Sequence, residues 1–399
     1  MTTTAQREPL AYPFRQPDGL GLHPVYAELR GRPPARVRMP YGEDAWLVTR
    51  YADAKALLGD PRFSMAAGAG RDVPRVRPVA VSGGGLLSTD GPDHARLRGT
   101  VAKAFTARRV ERLRERVREL AEDLSRSLRA SGSPADLGDG FAFPLAITVI
   151  GELLGISQDN HVRVRDWLEV MMSHTVSAEE FHKWNTTFAA YTAELVELRR
   201  REPGDDLFSA LVRAHDEEGR ITMGELMSLA PVLISAGFVT TFNQISNSCY
   251  LLLVRPERYA SLLGRPDVLP RAVEELLRYV PLPNGFAFPR YATEDVELGG
   301  ALIRTGEPVL VDTAAANRDP EVFDDADALV LDRPVNQHLS FGHGPHYCIG
   351  AHLARVELQV ALEVLTEDMP GLRLAVPETE LRWKTGSMVN GLYELPVTW

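Results

Sequence analysis

The sequence predicts a mainly α fold with a minor β part, an α+β arrangement forming one domain over residues 1–399. Three observations carry this: apolar residues at three-and-four spacing through most of residues 92–254, short strand-like runs near both ends, and a last periodic segment at residues 350–369. Hydrophobic residues are 44% and charged residues 25% of the 399, enough to bury a large core, which sets aside a disordered or fibrous chain.

The first twenty residues are polar and dotted with proline, and are expected to lie over the surface. A short helix follows at 23–30, then strands at 35–39 and 45–49 around a Pro-Tyr-Gly turn. Residues 64–88 hold Gly68, Gly70, Pro74, Pro78 and the run Gly83 to Gly85, a composition that no regular element tolerates. This is a long loop, and long loops in compact proteins tend to carry function. Residues 108–130 form an amphipathic helix with charges on its outer face. Helices at 161–176 and 178–201 part around Thr175, Val176 and Ser177. They carry exposed-looking Trp167, Met171, Met172, Phe181 and Trp184, for which core packing is the plainer reading.

Thr222 and Glu225 make a capping box that opens a helix running to about Val254, before Pro256. It spans about 50 Å and is apolar on nearly every face around Leu226 to Val239, so it belongs at the centre. Pro270 lies in the first turn of a helix ending near Tyr279. Strand-like pieces follow at 287–291, Val296–Leu298, Ala301–Ile303 and Pro308–Val311, then an irregular stretch at 314–340.

Cys249 and Cys348 are the two cysteines, which excludes a disulfide-stapled scaffold and any four-thiolate metal site within one chain. Lys and Arg total 44 against 54 Asp and Glu, and the net charge of −10 argues against nonspecific nucleic-acid binding. The start has no basic-then-apolar leader and no uninterrupted apolar run reaches about eighteen residues. The expectation is a cytoplasmic protein without nucleic-acid or membrane partners. Asn185-Thr-Thr, a glycosylation pattern, is then a chance match.

Phe341-Gly-His-Gly-Pro-His-Tyr-Cys348-Ile-Gly350 puts a cysteine after a glycine-punctuated loop and directly before a helix. Free N–H groups and the positive end of the helix dipole are expected to lower its thiol pKa. Gly342, Gly344 and Gly350 let something broad and flat approach the backbone. A thiolate also gives an iron porphyrin the electron push that favours O–O cleavage. An inert buried cysteine is the alternative these residues leave open, whereas a dinucleotide fingerprint is excluded because its third glycine would fall on Tyr347.

The pattern Phe341-Gly-x-Gly-x-His346-x-Cys348-x-Gly350 resembles the haem-ligand loop of the cytochrome P450 superfamily at every position of that motif, and the resemblance extends over essentially the whole chain. It implies haem b as cofactor, Cys348 as axial metal ligand, and Phe341 and Gly350 shaping the loop. Glu275-Leu-Leu-Arg278 resembles the family's Glu-x-x-Arg helix, with Arg333 completing a buried ion network; i,i+3 spacing alone would allow a solvated pair. His94 and Arg98, one turn apart on one helix face, together with Arg290 and His346 match the positions that clamp haem propionates in relatives.

On the long helix, Ala236-Gly237-Phe238-Val239-Thr240-Thr241 is similar to the family's oxygen-binding segment, which implies catalytic roles for Thr240, Gly237 and Ala236. Thr240 could equally back-bond to the preceding turn. Relatives usually carry an acid where Val239 stands. Its loss points to protons from water or substrate, and hence to radical C–C or C–N coupling. The pocket expected by position comprises Leu233, Val239, Asn284, Gly285, Phe286, Met172, Val176, Met388 and Val389, closed by the 64–88 loop; Asn284 could orient an amide.

Residues 45–49, 286–293 and 395–399 look like those of actinobacterial members that act on aromatic cyclic dipeptides. The resemblance thus implies an oxidoreductase of secondary metabolism acting on a small hydrophobic or aromatic, cyclic-dipeptide-like substrate. Electrons would come from ferredoxin and ferredoxin reductase, and a monomer is expected. The alternatives are a conventional hydroxylase or epoxidase of a polyketide, macrolide or terpenoid, and a haem-based sensor or carrier. Arg98, Arg108, Arg109, Arg112 and Arg355 could form a basic patch for an acidic ferredoxin, or a solvated arginine-rich surface.

Overall fold

The computed structural model describes residues 8–14, 19–79, 85–283 and 288–399. The chain begins with β1 (Leu10–Ala11), α1 (Val25–Arg30), β2 (Ala35–Arg38), β3 (Ala45–Val48), α2 (Tyr51–Gly59) and β4 (Phe63–Ser64). A helical run follows: α3 (Gly91–Ala102), α4 (Ala107–Ser131), the short β5 (Ala135–Asp136), α5 (Phe143–Leu154), α6 (His161–Met172), α7 (Ala178–Arg201), α8 (Leu207–Asp216), α9 (Met223–Leu253), α10 (Pro256–Ala260) and α11 (Leu269–Tyr279). The last part holds β6 (Arg290–Ala292), β7 (Val296–Leu298), β8 (Ala301–Ile303), β9 (Pro308–Val311), α12 (Thr313–Ala316), α13 (Ala351–Asp368), β10 (Arg373–Leu374) and β11 (Pro396–Thr398).

The fold is mainly α with a minor β part. Six strands make one sheet in the order β1-β2-β3-β9-β6-β4. Parallel pairing of β3 with β9 sets Trp46 opposite Val309 and Val48 opposite Val311, which ties the start of the chain to its C-terminal part. The loop at 64–88 is irregular apart from 3₁₀ turns at Ala66–Gly68 and Gly85–Leu87 among the described residues. The helix expected at 161–176 stops at Met172, which leaves Val176 in the turn before α7. The strand expected at 287–291 begins instead at Arg290, and residues 284–287 lie outside the described residues.

α9 is the axis of the core. Its capping box is complete: the Glu225 N–H donates to Thr222 Oγ1 at 3.2 Å, and the Thr222 N–H donates to Glu225 Oε2 at 2.7 Å. By length and composition α9 could cross a bilayer, yet it packs inside the protein against α5 and α13 and carries buried Asn243, Gln244 and Asn247. α4 turns Val110, Val117, Ala121, Ser125 and Leu128 inward at helical spacing and packs them on α13. Trp167 is buried and stacks on Phe188, their ring centroids 3.5 Å apart, and Phe181 is buried as well. Met171, Met172 and Trp184 are half-buried against the core, so these aromatics and methionines are packing residues.

Candidate active site

Two glycines in the left-handed region shape the cysteine loop, Gly342 at φ 72° and Gly344 at φ 70°. A Cβ on Gly344 would lie 2.6 Å from the Leu58 carbonyl oxygen at the end of α2, so the loop packs there because that residue has no side chain. The Gly342 N–H donates to Leu339 O at 2.8 Å, the Tyr347 N–H to Gly344 O at 3.0 Å, and the Cys348 N–H to Phe341 O at 2.8 Å. This brings Cys348 to the start of α13, where Gly350 and Ala351 N–H groups reach its sulfur.

Burial nevertheless pushes the Cys348 thiol above its ordinary value, outweighing those N–H groups and the charges of Arg98 and Arg355. The expected lowering by the helix start is therefore corrected: the local dipole is present but the surrounding protein wins. A coordinated metal ion deprotonates a thiol outright and would reverse that balance. Cys348 is solvent-accessible although protein atoms crowd it, as at the wall of a recess. Cys249 is buried within α9 and pushed up to about 12 by that burial, a packing residue.

Two successive glutamates of α11 anchor the chain on either side of this loop. Glu275 is fully buried and takes both forks of Arg278 at 2.7 and 2.8 Å, Arg333 Nε at 3.0 Å, the Val330 N–H at 2.8 Å and Asn336 Nδ2 at 3.0 Å. Burial alone would raise its carboxyl, but these donors hold it below the ordinary range. Arg278 also donates to the carbonyls of Asn317, Ala326 and Ala328 and so stitches the irregular 314–340 stretch to α11. Glu274 binds Arg355 of α13 at 2.6 and 2.9 Å and His338 at 3.1 Å. Burial opposes its ionisation, yet hydrogen bonds from His338 and Arg355 hold it down at about 2. The Arg355 guanidinium carbon lies 4.6 Å from the centroid of the Phe341 ring. Glu274 and His338 were not expected from the sequence.

A basic cluster gathers beside the loop. His94 and Arg98 come from α3, Arg290 from β6 and His346 from the loop itself. The His94 and His346 rings are 4.1 Å apart, His346 Nε2 is 3.1 Å from Asp90 Oδ1, and Arg98 donates to the Tyr347 carbonyl at 2.7 Å. Burial, then the charges of His346 and Arg98, pushes His94 down to about 4. Asp90, which also accepts from Ser64 and the Ala66 N–H, is the acid acting on His94, His346 and Arg290. His94 Nε2 is buried with no hydrogen-bond partner among the described residues. Two guanidiniums and two imidazoles gather beside one acid with an orphaned buried nitrogen, and the two carboxylates of a haem fit these donors.

On α9, Ala236 and Thr240 are exposed one turn apart although Ser235, Val239 and Thr241 are buried. The Thr240 hydroxyl donates to the Ala236 carbonyl at 2.6 Å, the back-bond that its position allows. A Cβ on Gly237 would lie 2.5 Å from Ile150 Cδ1. Its lack of a side chain is accounted for by the close approach of α5. Val239, Leu233 and Val389 are all buried in the main core. Met172 and Met388 meet where the Met388 N–H donates to the Met172 carbonyl at 2.8 Å, with half-buried Val176 in the turn after α6. Asn284, Gly285 and Phe286 lie outside the described residues.

A thiol presented at a helix start, its loop anchored on either side by two glutamates and flanked by a carboxylate-binding basic cluster, defines a haem-thiolate oxidoreductase. The Cytochrome P450 family model matches residues 265–367. The chain is 53% identical to mycinamicin IV hydroxylase/epoxidase of Micromonospora griseorubida, covering 98% of this chain and 99% of that protein. It is 50% identical to nocardicin C N-oxygenase of Nocardia uniformis subsp. tsuyamanensis, over the full length of both. The crystal structure of HinD with NMFT and NO superposes with a TM-score of 0.95 at 48% identity, over 98% of this chain and 99% of that one. The chain belongs to the cytochrome P450 family, and is an oxidoreductase that uses haem b.

Proposed function

We propose that this P450 hydroxylates or epoxidises a small hydrophobic secondary metabolite. The names of two full-length relatives support oxygen insertion. The observation in the chain itself that carries the reading is the exposed Thr240 hydroxyl, bonded to the Ala236 carbonyl on an otherwise buried helix. When bound, the haem supplies the activation of dioxygen, with Cys348 as thiolate ligand and His94, Arg98, Arg290 and His346 holding its carboxylates. Thr240 Oγ1 keeps lone pairs free to accept from water while its own proton rests on Ala236 O, so it can order a proton-carrying water without a neighbouring acid.

Val239 favours a second reading, radical coupling of an aromatic cyclic dipeptide. An apolar, buried side chain at the acid's usual place leaves the substrate's own N–H or O–H as a proton source. Labelled dioxygen separates the two: label in the main product supports insertion, and unlabelled coupled product supports the second reading. Thr240→Ala is expected to lower product formed per electron pair about tenfold, with Thr240→Ser close to wild type; an unchanged yield in Thr240→Ala removes Thr240 from proton handling. Spectral shifts without turnover of any substrate would favour a sensor or carrier.

Electrons would arrive from ferredoxin and its reductase on the face of α4. There Arg108 and Arg112 are exposed without an ion pair among the described residues, whereas Arg109 is paired with Asp205 and Arg355 with Glu274. In this reading the protein works in the cytoplasm as a single-domain monomer.

A further inference from the structure

Five arginines are buried among the described residues: Arg77, Arg278, Arg290, Arg318 and Arg333. Arg278 and Arg333 face Glu275, Arg318 faces Asp327, and Arg290 belongs to the basic cluster around Asp90. Arg77 has no acid. Its Nη1 donates to the Met171 carbonyl at 2.8 Å, and its guanidinium carbon lies 4.5 Å from the centroid of the Phe181 ring. Burial, with no carboxylate opposing it, pushes its pKa down to about 10, which leaves it cationic at neutral pH.

Its position matters as much as its charge. Arg77 belongs to the long loop before α3, and it spans from the end of α6 to the first turn of α7. The preceding Val76 packs in one cluster with Met388 and Met172. These are the elements expected to close over the substrate. A guanidinium carries five N–H donors in a planar fork, and this one uses a single hydrogen bond among the described residues. Buried cations are otherwise held by anions or strong acceptors, and the π face of Phe181 supplies only part of that compensation.

We propose that Arg77 is the polar specificity determinant of the substrate pocket, donating its remaining N–H groups to an oxygen acceptor of the substrate, a carboxylate or an amide carbonyl. The assignment rests on the reading of the protein as an oxygenase with its pocket beneath this loop. The same cation repels an amine, so the pocket selects against ligands that carry a positive charge at that end.

The test uses the haem-loaded enzyme and three ligands with one apolar body: 2-naphthylacetate, 2-naphthylacetamide and 2-(2-naphthyl)ethylamine, with affinities measured by titration calorimetry. Wild type is expected to bind the acid, the amide or both about tenfold tighter than the amine. A preference confined to the acid identifies a carboxylate as the natural group, and equal preference for acid and amide identifies a carbonyl. Arg77→Met keeps the apolar stem and is expected to erase the ranking. Arg77→Lys, which keeps the charge but loses the fork, is measured beside it and is expected to keep the acid above the amine while weakening the amide. Absence of a ranking in wild type, including absence of binding, overturns the proposal, as does a ranking that survives Arg77→Met or, where wild type prefers the amide to the amine, amide binding unchanged in Arg77→Lys. Heats of binding need no turnover, so a wrong oxygenase reading shows itself separately, as product without label.

Discussion

Replacing Glu275 with Gln tests whether the buried carboxylate holds the 330–336 stretch that leads into the cysteine loop. The substitution keeps the size and one carbonyl acceptor but removes the charge that neutralises Arg278 and Arg333, whose side chains are 0% and 7% exposed. Removing one partner of a buried ion pair costs about 3–5 kcal/mol, because the remaining charge stays buried. Here two guanidiniums are left, although Arg278 retains its bonds to the carbonyls of Asn317, Ala326 and Ala328. Those bonds bring the expected loss into the same range, about 3–5 kcal/mol, out of a typical total of about 5–15 kcal/mol.

The assay is urea unfolding followed by circular dichroism at equal haem loading, with an unchanged slope required before midpoints are read as free energies. A pH series adds a sign. The Glu275 carboxyl is held below its unfolded value, so its contribution is complete above that value and is lost as pH falls through the lower folded one. The gap between wild type and Glu275→Gln should therefore be constant down to about pH 5 and narrow below it. A loss under about 1 kcal/mol, or a gap that widens in acid, refutes the reasoning.

Glu274→Gln is expected to cost about 1–3 kcal/mol, since Arg355 and His338 lose a charged acceptor. With its carboxyl held at about 2, the Glu274 contribution should be full above about pH 5 and fade as pH falls toward 2, which denaturation of the pair across pH reads directly. Gly237→Ala puts a methyl 2.5 Å from Ile150 Cδ1 and is expected to lose about 1–3 kcal/mol by overpacking. Adding Ile150→Ala removes the clashing atoms, so the double variant should be more stable than the sum of the two single losses; strictly additive melting temperatures would count against the contact.

How far the sequence reveals such roles depends on where each residue's partner lies. The capping box of α9 and the glycines of the cysteine loop are readable because their partners are a few residues away. The nine residues of α2 bury only Tyr51, Ala54, Leu57 and Leu58, too short a stripe to stand out beside the neighbouring strands. Glu274 and Glu275 look alike in sequence, and both make ion pairs in the structure. The Glu-x-x-Arg spacing exposes one of them, while the other meets Arg355, 81 positions away. The Cys348 thiol was legible as a helix-start ligand but not in its pKa, because local N–H groups can be read from a motif and the density of the surrounding protein cannot. Gly237 sits in a familiar motif, yet the atom that forbids its side chain belongs to α5.

Arg77 is the extreme case. In a loop of Gly and Pro, an arginine reads as solvated, and only the packing of that loop between α6 and α7 buries it with no counter-ion among the described residues. Cofactor binding relies on short-range backbone geometry, which recurs as motifs. Substrate choice relies on side chains that loops carry across the fold, and those contacts leave no periodic or spaced signature. The residues that decide the substrate are therefore the ones that only the folded chain brings into view.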